Sequence, residues 1–130
     1  FRTGHQPVTP DRFNILIEHA QHLEQLSGDL LRDHPGTLDD EERGDLERIH
    51  NGCTQLVARL QAARELSPAE WPEDLLHELR SPLNTIVGYA GLLTYGDLPD
   101  DRRRALTAIH DQGRQLVNDI TALFMPPTSE

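Results

Sequence analysis

One histidine, His77, lies near the start of a helical segment rich in apolar residues that runs from Leu75 to Leu93 and reads LLHELRSPLNTIVGYAGLL. Histidine titrates nearer to neutral pH than other side chains, so an exposed imidazole can offer a neutral nucleophilic nitrogen. The carboxylate of Glu78 follows directly and can hold one ring N–H while the other nitrogen attacks. These residue types predict a nucleophilic histidine with Glu78 as its acid–base partner.

A proline, Pro82, lies inside the same helical segment. An interior proline removes one backbone hydrogen bond and is unfavourable by about 3 kcal/mol. Here it leaves the carbonyl of Glu78 without its usual donor and predicts a kink one turn after His77. A local rule broken beside an ionisable group often marks a functional site.

The helix face that carries His77 is polar and has small side chains. Steps of three and four residues from His77 reach Arg80, Ser81, Asn84, Gly88 and Gly91. Each interior glycine is unfavourable by about 1 kcal/mol relative to alanine. A helix face that keeps small side chains despite this loss of stability predicts a docking surface for another protein.

The composition excludes several classes of protein. A net charge of −10 argues against a nucleic-acid groove, which needs a basic face. We expect neither a signal peptide nor a membrane span, and therefore a cytoplasmic protein. The one cysteine, Cys53, cannot form an internal disulfide. His19 and His22 have metal-ligand spacing but no second ligand pair, so no metal site is expected.

Four apolar stripes with helical spacing follow one another along the chain, separated by turn sequences rich in glycine, proline and aspartate. They predict an all-α protein, an antiparallel four-helix bundle built from two helical hairpins. The first hairpin covers 11–66 and the second 67–125, with tails at 1–10 and 126–130. The two hairpins are expected to form one domain.

The second hairpin repeats the first at a constant offset of 60 residues. Matching residues include Ile49–His50 with Ile109–His110, and Gln55–Val57 with Gln115–Val117. Such a repeat predicts that the hairpins bury equivalent faces and need each other to cover their apolar stripes. Ile17 stands where His77 stands and His22 stands where Pro82 stands, so only the second hairpin retains the candidate site.

The sequence HELRSPLNTIVGYAGLL resembles the H-box of the dimerisation and histidine phosphotransfer domain of two-component sensor histidine kinases. The resemblance implies that His77 is the phosphoacceptor and exchanges its phosphoryl group with an aspartate of a receiver domain. It implies that Glu78 is the general base or acid and that Arg80 lies near the phosphoryl group or the partner. Ser81, Asn84 and Gly88 complete the expected docking face, with Pro82 as the helix kink.

The resemblance also sets expectations about cofactors and assembly. No ATP-binding motif follows Leu123, so ATP and Mg²⁺ are expected on a partner or on further domains, and none in this segment. That family usually pairs two identical hairpins from two chains, whereas this chain resembles a monomeric pseudo-dimer with one working site. Two alternatives stay open: a scaffold that docks a receiver or couples an input domain to an output such as a cyclase, and a segment of a complete sensor kinase.

Overall fold

The computed structural model describes residues 10–33, 39–96 and 98–124. Four helices make up nearly all of this part: α1 (Pro10–Asp33), α2 (Asp40–Arg64), α3 (Leu75–Thr94) and α4 (Asp100–Phe124). A short 3₁₀ turn (Pro68–Glu70) lies in the connection between α2 and α3. The predicted tails lie outside the described residues, except that α1 already begins at Pro10.

The helices form a closed ring in which each contacts two neighbours: α1 packs on α2, α2 on α3, α3 on α4 and α4 on α1. Contacts between opposite ends show that neighbours run antiparallel. Near the end of α2, for example, Nη1 of Arg64 donates to Oδ1 of Asn14 near the start of α1, at 2.7 Å. The prediction of an all-α antiparallel four-helix bundle is confirmed.

Helices α2 and α4 bury equivalent positions, as the repeat predicts. The matching buried pairs are Leu46 and Leu106, Ile49 and Ile109, Cys53 and Gly113, Leu56 and Leu116, Leu60 and Ile120, and Ala63 and Leu123. Desolvation by burial raises the pKa of the Cys53 thiol to about 12. Cys53 is therefore a small, unreactive core side chain rather than a nucleophile.

Helices α1 and α3 do not bury equivalent faces, and here the prediction from the repeat is wrong. Ile17 is buried at 4% exposure whereas its counterpart His77 is exposed. Conversely, Leu79 is fully buried whereas its counterpart His19 is exposed. The residue types explain the difference, because each helix buries the apolar residue of these two positions and leaves the histidine in water.

Two structural devices fix the ends of the bundle. Asp39 and Glu42 form a capping box at the start of α2, where the Asp39 carboxylate accepts from the backbone N–H of Glu42 at 2.7 Å. Trp71 packs edge-on against Phe13 and tilted against Phe124, with ring centroids 5.6 and 5.3 Å apart. Its indole N–H donates to the backbone carbonyl of Ala63, so Trp71 joins three helices at one end.

Among helices in the described ranges, none combines the length and hydropathy that a membrane crossing requires.

Candidate functional site

His77 lies in the first turn of α3, with its side chain exposed to solvent. Among the described residues its imidazole has no hydrogen-bond partner, so both ring nitrogens are accessible. The first turn of a helix favours an added negative charge by about 0.3–1 kcal/mol, because backbone N–H groups there lack partners. The side chain of Asp74, the N-cap residue, makes no capping hydrogen bond to these N–H groups. An anionic group on His77 would therefore sit at the favourable end of the helix.

The Glu78 side chain is half-buried next to His77 in the chain. The hydrogen bond to the imidazole that the sequence suggested is not formed between these described residues. Catalytic hydrogen bonds often form only when a substrate binds, so Glu78 remains a candidate acid–base partner of His77.

The carbonyl freed by Pro82 has found another donor. Pro82 is buried inside α3, and Nη1 of Arg59 on α2 donates to the main-chain oxygen of Glu78 at 2.7 Å. A guanidinium donor makes this a charge-assisted hydrogen bond, about twice as strong as one between neutral groups. Arg59 was not among the sequence candidates, because nothing near it in the sequence points to α3.

Helix α2 also approaches α3 closely at the proline. A Cβ placed on Gly52 would lie 3.1 Å from the carbonyl oxygen of Pro82 and 3.1 Å from Cγ1 of Ile86. Both distances are tighter than ordinary contact, and the Pro82 oxygen is main chain and cannot rotate away. Gly52 therefore allows the backbone of α2 to pack directly against the segment of α3 that contains Pro82.

The residues of the predicted docking face lie on one side of α3, where all but Gly91 are exposed. His77, Arg80, Ser81, Asn84 and Gly88 are all exposed along α3. A Cβ on Gly88 would meet no atom within 4 Å. The structure thus brings the sequence candidates together on one face, with Pro82 buried behind them.

Gly88→Ala separates the docking role of this face from stability. Because Gly88 is exposed and its missing Cβ meets nothing, alanine should raise the free energy of unfolding by about 1 kcal/mol through helix propensity. If the glycine keeps the face smooth for a receiver, the same change should weaken receiver binding. Urea denaturation and titration calorimetry measure the two effects. Unchanged receiver affinity would remove Gly88 from the docking surface.

The repeat-related histidines His50 and His110 lie away from this face. Nδ1 of His50 is 3.0 Å from the hydroxyl of Ser27, which is fully buried, and 3.1 Å from the backbone oxygen of Glu24. His50 therefore joins α1 to α2. Nδ1 of His110 is instead 3.1 Å from Oδ1 of Asp111 on its own helix. Neither histidine shares the exposure and free ring of His77.

Comparison with known proteins defines the class to which this site belongs. Residues 73–124, which span α3 and α4 and include His77, match the family described as the His Kinase A (phospho-acceptor) domain. Helices α3 and α4 therefore form a His Kinase A-like domain, similar to the dimerisation and phosphotransfer domains of two-component histidine kinases. Domains of this family belong to kinases that pair with response regulators.

One curated relative is similar over both hairpins. The chain is 32% identical over 129 residues to the Circadian input-output histidine kinase CikA of Synechococcus elongatus. The match covers 91% of this chain and therefore extends well beyond residues 73–124. The chain spans only 16% of that protein's length. No solved structure matches the chain.

Proposed function

We propose that His77 is the phosphoacceptor of this domain and exchanges a phosphoryl group with an aspartate of a receiver domain. The single observation that carries the proposal is the exposed imidazole of His77 in the first turn of α3, which no described residue engages, within the segment that matches the phospho-acceptor family. A buried ring, or one whose two nitrogens were both engaged by other groups, could not attack the phosphoryl group of a second protein.

The chemistry requires only groups on this face and on the partner. The lone pair of one ring nitrogen attacks phosphorus, a P–N bond forms, and the P–O bond to the donor's oxygen breaks with its electron pair remaining on that oxygen. Glu78 holds the N–H of the other ring nitrogen and takes or returns that proton. Transfer to the receiver aspartate is the reverse displacement, in which a carboxylate oxygen attacks and the P–N bond breaks.

Charge on the exposed face fits this exchange. A phosphoryl group adds close to two negative charges at neutral pH, by analogy with other phosphorylated side chains. Arg80 lies three residues after His77 on the same helix, where its guanidinium can pair with phosphate oxygens. Ser81, Asn84 and Gly88 extend the face for the receiver.

Cofactors and assembly belong to the same proposal. ATP and Mg²⁺ bind to the kinase domain or the receiver that supplies the phosphoryl group. The reaction takes place in the cytoplasm, and this segment works as part of a larger sensor kinase. The two hairpins take the place of the two chains of a homodimer, so the domain is a monomer with one site. The burial of Ile17, the counterpart of His77, supports a single site.

The test supplies the chain with a phosphorylated receiver, or with a histidine kinase catalytic domain and ATP, and measures acid-labile, alkali-stable phosphate on the chain. Phosphate that appears on the parent and is lost in His77→Ala supports phosphotransfer. Receiver binding without any label would overturn it in favour of a scaffold that docks receivers through the same exposed face.

A further inference from the structure

We propose that Arg59, contributed by the first hairpin, is a positioning residue for His77, since it holds the main chain that Pro82 leaves without an internal hydrogen bond. The inference rests on the proposed phosphoacceptor role of His77. It makes the site a composite of both hairpins, although all the matched site residues lie on α3.

The argument begins with the backbone of α3. Because Pro82 has no N–H, the carbonyl of Glu78 has no donor four residues further along its own helix. That carbonyl belongs to the helical turn that carries His77. Without the hydrogen bond, this turn is held less firmly to the remainder of α3. The 2.7 Å hydrogen bond from Nη1 of Arg59 replaces the missing attachment with one to α2.

The side chains of α2 are suited to this task in a way that those of α4 are not. At the offset of 60 residues, Gly52 and Arg59 correspond to Gln112 and Asp119. Gln112 is exposed rather than packed against a neighbouring backbone, and a carboxylate cannot donate to a carbonyl. Asp119 instead accepts a hydrogen bond from Gln115 on its own helix, at 2.9 Å.

The first hairpin has no corresponding need. At the position equivalent to Pro82, α1 has His22, which keeps its backbone N–H. Helix α1 is continuous through this position. Within the described residues, the Arg59 donor and the contact of Gly52 with the main chain of Pro82 therefore lie together at the proline, close to the candidate phosphoacceptor. The proline, the guanidinium donor and the close-packed glycine therefore meet at one helix contact, where α2 can hold the backbone of α3.

The consequence for the reaction is geometric. Attack by an imidazole nitrogen needs its lone pair aligned with the breaking P–O bond, and a misplacement of about 1 Å can lower a rate by as much as about 100-fold. A freed Glu78 carbonyl would allow the first turn of α3 to shift with respect to Ser81 and Asn84, which contact the docked receiver in the proposal. Receiver affinity would change little, because Arg59 lies on another helix and is half-buried.

The experiment is a double-mutant cycle between Arg59→Met and Pro82→Ala, with phosphotransfer from a phosphorylated receiver as the readout. Arg59→Met removes the donor and keeps the length of the side chain. The phosphotransfer rate at saturating receiver should fall about tenfold or more. The receiver concentration that gives the half-maximal rate should not change. Pro82→Ala restores a backbone N–H for the Glu78 carbonyl, so Arg59→Met in that background should change the rate less than twofold. Arg59→Lys, which retains a donor, should recover part of the parent rate.

Two results would overturn the inference. A parent rate in Arg59→Met would show that the contact does not position His77, and an equal loss in the Pro82→Ala background would show that Arg59 acts through something other than the freed carbonyl. If Arg59→Met alone does not fold, the double variant is expected to fold, and its failure to do so would also overturn the proposal.

Failure of the underlying function gives a different pattern. In that case the parent itself takes up no acid-labile phosphate. The carbonyl ¹³C resonance of Glu78 then still reports the contact with Arg59. Arg59→Met should shift this resonance in the parent protein, which has Pro82, and should not shift it in the Pro82→Ala variant. Label on the parent with no coupling between the two positions would refute only the role of Arg59.

Discussion

Leu116→Ala is expected to lower the free energy of unfolding by about 2–5 kcal/mol. Leu116 lies on the inward face of α4 and is only 1% exposed. Truncation removes apolar contacts and leaves a cavity that the four packed helices can fill only in part. Since a domain of this size is stable by only about 5–15 kcal/mol, this single change should remove a large share of its stability.

Urea denaturation followed by circular dichroism measures this loss. The matched control is Leu92→Ala, the same truncation at a helical leucine that is 62% exposed, which should change stability by less than about 0.5 kcal/mol. Leu56→Ala, the repeat counterpart in α2 and fully buried, should match Leu116→Ala. If Leu116→Ala behaves like Leu92→Ala, the inward stripe of α4 is not part of the core.

His77→Ala should abolish incorporation of acid-labile phosphate while leaving stability nearly unchanged. The loss is expected to be complete, because among the described histidines His77 alone lies on the proposed docking face next to Glu78, exposed and without a hydrogen-bond partner. Stability should change by less than about 0.5 kcal/mol, because an exposed side chain without hydrogen bonds contributes little to folding.

The control for this variant is His110→Ala. His110 lies on the adjacent helix α4 and is half-buried beside Asp111, so its removal should leave phosphorylation intact. Phosphate is measured by autoradiography before and after mild acid, and stability by thermal denaturation of the same samples. Label that is retained in His77→Ala and lost in His110→Ala would place the phosphoacceptor on α4 and contradict the proposal.

Helix periodicity carried most of the information about the fold. The stripes of α2 and α4, from Leu46 to Leu60 and from Leu106 to Ile120, predicted the buried faces because apolar spacing alone decides which side of such a helix turns inward. The same spacing also predicted the buried face of α1, where Phe13, Leu16, Ala20, Leu23 and Leu30 are buried. What failed was the equivalence of α1 with α3, because α1 has Ile17 and His19 where α3 has His77 and Leu79, so each helix buries its own apolar side chains.

The candidate site divides in a similar way. His77, Glu78, Arg80 and Ser81 are close in sequence, so one helical register places them on or beside one face. Arg59 could not be found in this way, because its partner lies 19 residues away and is a backbone atom. One signal was nevertheless present. Pro82 implies a carbonyl in need of a donor, and α2 carries an arginine where its repeat counterpart in α4 carries Asp119.

Native mass spectrometry at neutral pH, after incubation with a phosphorylated receiver or with a kinase catalytic domain and ATP, tests the central claim most directly. One spectrum gives both the number of chains in the particle and the number of phosphoryl groups that it carries. We expect one chain with a single phosphoryl group, which fragmentation assigns to His77. A particle of two chains, two phosphoryl groups on one chain, or a phosphoryl group on any other residue would contradict the account.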